Sequence, residues 1–549
     1  MRTNKRGNTI QPLFPALFLA LSGLFLAECS VGVHEGVYSL AASKARVAAN
    51  VVITPSAEGE YAFTADAIPT ITIDCANGGA QAFYSFDGAP YRPYTGPLSL
   101  PINDLTVDQT ILLSAYSSHP DYSDSEPVTR EYRFVATRVP TPTITAVTSP
   151  YYRYDDPPTV TVSCSLAGAT VWYSTNGGAT YIQSTGSFEL PVPDPADWNV
   201  NRTIVVTAYA TSPDYLDSVP VSESFLFYGE GTIVTIAGTG IEGFPVEGED
   251  ARTQPIPECI AIYVDDEKNV YFTGGHCVWK VNADTNVLTR LAGSPGVYGN
   301  VVTSADANTA CLSDPRGLTG DDAGHVLYIA SAGSSQILAV PYVGGTITRI
   351  LGKSNGLPYQ TGDTDTVPDA GIYQPSGIQY MTGGTIYFSE SMRYAVRSFN
   401  VSGGTLALVA GTLDVQGNDS GHFQWNRGLC VDGSTLYVAD AGNSRVRTVS
   451  LPGNAINDLL TGNTGVSQVR VIGSDIYYLC WDGVAKVIDR YDGSVTTRVA
   501  GSSSGNAPVD GSLAITVTID GPEDFFVVPD DGIYIPEWMG YRILKVILY

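Results

Sequence analysis

Six apolar tripeptides with a central tyrosine recur through residues 230–549: Val270-Tyr271-Phe272, Leu327-Tyr328-Ile329, Ile386-Tyr387-Phe388, Leu436-Tyr437-Val438, Ile476-Tyr477-Tyr478 and Ile533-Tyr534-Ile535. Neighbouring copies lie 40 to 59 residues apart. A repeat of that length is one supersecondary unit that cannot bury its apolar face alone, so the copies must pack on one another as a propeller or a solenoid. The spacing excludes one continuous sheet. It also directs the search for function to loops, where repeat platforms carry their chemistry.

Further pieces recur around each tyrosine. A strand entered at Pro257, Pro315, Pro375, Asn426 or Pro522, and less clearly near Ser467, comes before it. Polar turns such as Asp322-Ala323-Gly324 and Asp432-Gly433 lead in, and a third strand follows, for example Val278-Trp279-Lys280-Val281 or Val484-Ala485-Lys486-Val487. An outer strand then ends on Gly293, Gly352, Gly411, Gly462 or Gly501. The sixth unit lacks this outer strand, and a spare one, Ile233 to Gly238, stands at the start of the region. The pattern predicts an all-β, six-bladed β-propeller over 229–549, its sixth blade completed by the N-terminal strand so that no sheet edge stays open.

The preceding residues hold a duplication. Thr70-Ile71-Thr72-Ile73-Asp74-Cys75 returns as Thr159-Val160-Thr161-Val162-Ser163-Cys164, and Pro120-Asp121-Tyr122 returns as Pro213-Asp214-Tyr215. Ile71, Ile73 and Cys75, like Val160, Val162 and Cys164, alternate as one buried strand face requires. Asp87-Gly88 and Asn176-Gly177 are hairpin turns. Two tandem Ig-like β-sandwich modules are expected, over 50–136 and 137–228.

The chain has 549 residues, 44% hydrophobic and 15% charged, with 57 Gly and 34 Pro, a balance for turns and strands rather than long helices. Its formal charge of −26 repels phosphate backbones, which argues against a nucleic-acid partner. Arg2, Lys5 and Arg6 precede an apolar run from Leu13 to Leu26, too short to span a bilayer comfortably, and this reads as an export signal over 1–28. A weakly patterned tether, 29–49, follows.

Several of these segments resemble known families. Leu26-Ala27-Glu28-Cys29 resembles a bacterial lipobox, with Glu28 where a small residue is usual; the resemblance implies lipid attachment at Cys29, a membrane partner, and a periplasmic or cell-surface location in the envelope. The segments GATVWYSTNGGATY and TIVVTAYATSPDYLDS resemble the small β-sandwich modules appended to bacterial glycoside hydrolases and chitobiases, which are accessory and carry no catalytic residues. Leu436-Tyr437-Val438-Ala439-Asp440-Ala441-Gly442-Asn443-Ser444-Arg445-Val446-Arg447 resembles the NHL repeat; the other blades keep the strands but lose the Asp and the Asn-x-Arg. Six-bladed propellers of this general kind include metal-dependent lactonases and streptogramin-type lyases as well as binding proteins.

Candidate chemistry is sparse. The entries of the inner strands should line the mouth of the central channel, which nominates Glu258, Arg316, Ser376, Arg427, Gln468 and Glu523 as ligand-binding residues. No cofactor is expected. The alternative is a divalent cation held by Glu258 and Glu523 through hard oxygen ligands in a hydrolase or lyase. His276 and His422 fall on one face but in opposite blades, and His325 on the other, which speaks against a three-His zinc site; His34 and His119 lie outside the ring. Asp-Gly pairs fall on hairpin turns, where backbone conformation explains them. Cys75 and Cys164 read as small buried hydrophobes, and spacing leaves open a bridge among Cys259, Cys277 and Cys311. The expectation is a lipid-anchored envelope protein whose propeller binds a protein or carbohydrate ligand without catalysis; a purely structural surface protein is the third reading.

Overall fold

The computed structural model describes residues 47–549, except 56–58, 63–67, 103, 106, 148, 150, 214, 361–364 and 453–454. The signal segment 1–28, Cys29, His34 and the tether as far as residue 46 lie outside the described residues. The described chain is all-β apart from five short 3-10 turns, and it divides into two compact units, one ending at Thr137 and one spanning Arg138–Tyr549.

In the first unit, Val51–Thr54 pairs with Thr72–Cys75. A second sheet runs in the order Gly59–Ala62, Val128–Val135, Gln109–Ser118, Gln81–Phe86, Arg92–Pro93. Ile53, Ile71 and Ile73 from one sheet meet Ala82, Ile111, Leu113, Tyr132 and Phe134 from the other in a single core. The period-two burial of Ile111, Leu113 and Ala115 follows from strand geometry, which sends alternate side chains to opposite faces. Residues 47–49, read from sequence as the end of a tether, already belong to this unit. Ala48 is buried and its N–H donates to Ser123, because burying an apolar side chain there outweighs leaving the segment loose.

The second unit begins with another pair of sheets, Thr143–Thr145, Thr159–Ser163 and Ser187–Glu189 against Ile182–Gln183, Thr170–Ser174, Arg202–Thr211 and Val221–Phe227. They enclose Val160, Val162, Val206, Ala208, Ala210, Phe225 and Phe227. Cys75 and Cys164 lie at the margins of the two cores, half-buried and free, rather than fully inside them.

Among the described residues six antiparallel sheets follow. Their inner strands are Cys259–Val264, Pro315–Asp321, Pro375–Met381, Asn426–Asp432, Gln468–Ile472 and Phe526–Val528, each hydrogen-bonded to the next strand in sequence. Each of these six packs against its successor, and the sixth sheet returns to the first. The apolar layers show the same circuit. Leu479 and Ile488 of the fifth sheet meet Phe525 and Leu544 of the sixth, and Tyr534 and Ile543 of the sixth meet Phe272 and Trp279 of the first. Ile233–Ala237 lies antiparallel against Arg542–Ile547, with Ile233 opposite Val546 and Val234 opposite Lys545, and so supplies the outer strand of the sixth sheet. This arrangement is a β-propeller.

Sequence reading mislocated one strand. In the fifth sheet the third strand is Lys486–Tyr491, not 484–487, and Val484 is exposed. The preceding strand continues to Trp481, and Asp482 then accepts the N–H groups of Val484 and Ala485 at 3.2 and 3.0 Å, fixing a turn where a strand had been expected.

The ring is also joined to the paired sheets before it within the second unit. Arg153 donates to the carbonyls of Asp530 and Asp531, both at 2.8 Å, and of Leu548 at 3.0 Å. Asn201 receives N–H from Gly229 at 2.8 Å and donates to Gly511 at 2.9 Å. The boundary near Gly229 is therefore a packed junction, not a linker.

Candidate functional site

The inner strands are held in place from behind. Asp440, Glu390 and Glu537 end the second strands of the fourth, third and sixth sheets, and all three are buried. Each accepts one backbone N–H from the loop that leads into an inner strand. Asp440 takes that of Gln424 at 2.8 Å, Glu390 that of Tyr373 at 2.6 Å and Glu537 that of Asp520 at 2.9 Å. The donor in each case stands three residues before a mouth residue, respectively Arg427, Ser376 and Glu523. Arginines of the third strands balance the buried charge: Arg447 lies 3.2 Å from Asp440, Arg397 lies 3.4 Å from Glu390 and Arg542 lies 2.8 Å from Glu537. Burial pushes all three carboxyls above their ordinary pKa, and the neighbouring arginines oppose that rise. The carboxylate that sequence reading found only in the fourth blade is thus present as Glu in two more. All three carboxylates stand three residues after the central tyrosine of their blade; Arg397 and Arg447 follow seven residues later and Arg542 five.

Glycines set the spacing between neighbours. A Cβ at Gly317 would run into the carbonyl oxygen of Ser376, one at Gly377 into that of Arg427, and one at Gly428 into the Gln468 side chain. Each mouth residue from 376 to 468 is therefore seated on the glycine of the preceding sheet, a closeness that no larger residue permits.

Arg316, Ser376, Arg427, Gln468 and Glu523 line one cavity of about 800 Å³. Arg427 reaches from the fourth sheet to Glu523 of the sixth at 2.8 Å, and Lys486 of the fifth holds the other Glu523 oxygen at 2.7 Å. Lys486 also donates to the Pro522 carbonyl at 2.8 Å. Its burial lowers its pKa, and the carboxylate of Glu523 counters that shift. Arg470 lies 3.2 Å from Asp524, which also accepts from Gln468 at 2.5 Å; burial raises the Asp524 pKa against the pull of Arg470. Arg316 pairs with Asp314 at 2.7 Å. The Ser376 hydroxyl sits 2.9 Å from that of Ser389 and 2.8 Å from that of Ser391.

Glu258 is exposed and is not among the residues that line the cavity. The structure therefore does not join it to Glu523 as a pair of metal ligands, and both Glu523 oxygens already face cations. Among the described residues no group of three His, Cys, Asp or Glu converges as a metal site. His276 accepts from the Asp314 N–H at 3.3 Å, His422 pairs with Asp419 at 2.6 Å, and His325 packs edge-on against Tyr342. The seven described cysteines are free, so Cys259, Cys277 and Cys311 form no bridge; Cys259 and Cys277 are buried, and burial raises both thiols.

Sequence reading missed Arg470, Lys486, Asp524, Trp425 and Trp481, all of which line the cavity. Asp524 stands beside the nominated Glu523, while Trp425 and Arg470 each lie two residues from a nominated position, Arg427 and Gln468. Lys486 was hidden by the misplaced third strand. Trp481 ends a strand that runs three residues beyond the tyrosine tripeptide.

No family model matches the chain. Over 253 residues it is 24% identical to NHL repeat-containing protein 2 of Homo sapiens, a match covering 40% of this chain and 35% of the human protein. The chain thus spans about a third of the length of the curated relatives it matches. Among solved structures, a Bacteroides thetaiotaomicron protein of unknown function is 15% identical, with 74% of this chain and 98% of that one covered at a TM-score of 0.45. A virginiamycin B lyase from Staphylococcus aureus is 11% identical, with 63% and 92% covered at a TM-score of 0.35. The tyrosine repeat and the closed circuit of sheets agree on a β-propeller, and part of the chain is similar to an NHL repeat-containing protein.

Proposed function

We propose that this chain is a non-catalytic binding protein of the bacterial envelope: a six-bladed propeller, carried on two Ig-like sandwich modules and held to the membrane by lipid on Cys29, that binds a carbohydrate or protein ligand in the cavity at its mouth. The observation that carries this reading is the pairing inside the cavity. Glu523 faces Arg427 and Lys486, Asp524 faces Arg470, and Asp314 faces Arg316, so each carboxylate is neutralised by a cation. A general base or metal ligand needs an available lone pair, whereas a recognition site needs fixed donors, a shaped wall and some apolar surface. Trp425, Trp481 and Met392 supply that surface.

Metal content tests the catalytic alternative. A stoichiometric divalent ion in the purified protein, lost in the Glu258→Gln/Glu523→Gln variant, would overturn the non-catalytic reading; a metal-free protein is expected. Binding is read as a change in tryptophan emission when fractionated envelope polysaccharide or peptide is added, and Arg316→Ala/Arg427→Ala should abolish the change. The anchor is tested by incorporation of a clickable fatty acid in cells, which Cys29→Ala should remove. An unlabelled wild-type protein would overturn it.

A further inference from the structure

The cavity carries more positive than negative side chains. Arg316, Arg427, Arg470 and Lys486 line it against Asp314, Glu523 and Asp524, a surplus of one cation in a chain whose formal charge is −26. The surplus can be assigned to a residue. Lys486 is 7% exposed and sits on Glu523 at 2.7 Å, which suffices to neutralise it. Arg427, 46% exposed, is a second cation on the same carboxylate through one nitrogen. A half-exposed ion pair is worth little, so Arg427 can exchange Glu523 for another carboxylate at small cost while Lys486 keeps Glu523 in place. The planar guanidinium favours a carboxylate that it can meet with two parallel N–H groups.

The surroundings of Arg427 narrow the ligand further. Trp425 stands two residues before it and Trp481 closes the neighbouring fifth sheet; both line the cavity, 51% and 43% exposed. Flat aromatic faces left this open beside charge suit a ligand with flat faces of its own. Hydroxyl and amide groups of Ser376, Ser444, Thr464 and Gln468 ring the same space, offering donors and acceptors in number. Ser467 also lines it, and its buried hydroxyl has no hydrogen-bond partner, which a ligand hydroxyl could supply.

On the reading of this cavity as a binding site, we infer that its ligand is an acidic saccharide, a short chain containing a uronic acid. The sugar carboxylate takes the guanidinium of Arg427, the ring faces lie on Trp425 and Trp481, and the ring hydroxyls meet the serine, threonine and glutamine groups. An acidic peptide shares the carboxylate but does not call for two open tryptophans amid so many hydroxyl partners.

The test is titration of the full chain, by calorimetry and tryptophan emission, with three probes: oligogalacturonate, the neutral galactose oligomer of equal length, and a glutamate oligopeptide. Oligogalacturonate is expected to bind and to quench Trp425 and Trp481, with affinity falling as salt rises. Arg427→Ala and Trp481→Ala should each weaken it at least about tenfold with unchanged melting temperature, and Arg427→Lys should rescue only in part. Equal binding of the neutral oligomer, or preference for the peptide, would overturn the acidic-saccharide assignment while leaving a binding cavity. Silence with all three probes overturns the assignment too. If envelope fractions also leave the emission unchanged, the binding reading itself fails.

Discussion

The buried carboxylate of Asp440 accepts the backbone N–H of Gln424 at 2.8 Å and so fixes the loop that delivers Arg427 to the mouth of the ring. It also accepts from Asn443 at 2.8 Å and pairs with Arg447. Among the described residues, replacing it with alanine takes the acceptor from the half-buried Gln424 N–H and leaves Arg447 with only Asp458 as an ionic partner. Asp440→Ala should cost about 3 kcal/mol in urea unfolding. It should also weaken ligand binding, although Asp440 does not line the cavity. Unchanged affinity in a folded variant would separate the loop from the site.

Gly377 makes a steric prediction. A Cβ there meets the Arg427 carbonyl, which is backbone and cannot swing aside. Gly377→Ala should destabilise by about 1–3 kcal/mol, as overpacking does. Gly96→Ala, where nothing lies within 4 Å, should be neutral in the same denaturation experiment.

Removing residues 229–240 deletes the strand that pairs with Arg542–Ile547, and with it the buried Ile233, Val234 and Ala237. The sixth sheet then presents an open edge. The shortened chain should lose the cooperative transition of the ring in differential scanning calorimetry. A ring that melts as before would refute closure by this strand.

Asp531 predicts an acid dependence. Lys545 at 2.8 Å, Lys268 at 3.1 Å and Arg153 at 3.7 Å surround it, and the Tyr534 hydroxyl donates to it at 2.7 Å. Burial works against the charge, yet Lys545 and the others prevail and hold the carboxyl down at about 2. A depressed acid contributes stability above its unfolded pKa, about 3.9, and that contribution disappears as pH falls towards 2. Wild type should therefore lose about 2 kcal/mol more than Asp531→Asn across this interval, measured by urea unfolding at each pH. Parallel profiles would show that the cluster does not favour the ionised form. Lys545 gives a slope of the same sign at high pH. Burial lowers it to about 8 despite Asp531, so its own term makes stability rise between about 8 and 10.4.

The repeat itself was legible because a strand packed between neighbouring sheets is apolar on both faces and because the chain turns at Gly and Asp. The tyrosine tripeptides, the entry residues and the spare strand at Ile233 all follow from that local rule, and five of the six nominated mouth residues do line one cavity. What needed the tertiary structure was everything set by one sheet lying against another. Glu258 and Glu523 occupy equivalent places in sequence, yet Glu258 is left outside the cavity while Glu523 is drawn between Arg427 and Lys486 from two other sheets. Lys486 faces the mouth only because the Asp482 turn delays its strand. Arg153 binds the carbonyls of Asp530, Asp531 and Leu548 more than 370 residues away in sequence. Local pattern records which face of a strand is buried, whereas the partners of a charge depend on distances between elements that no short-range pattern encodes.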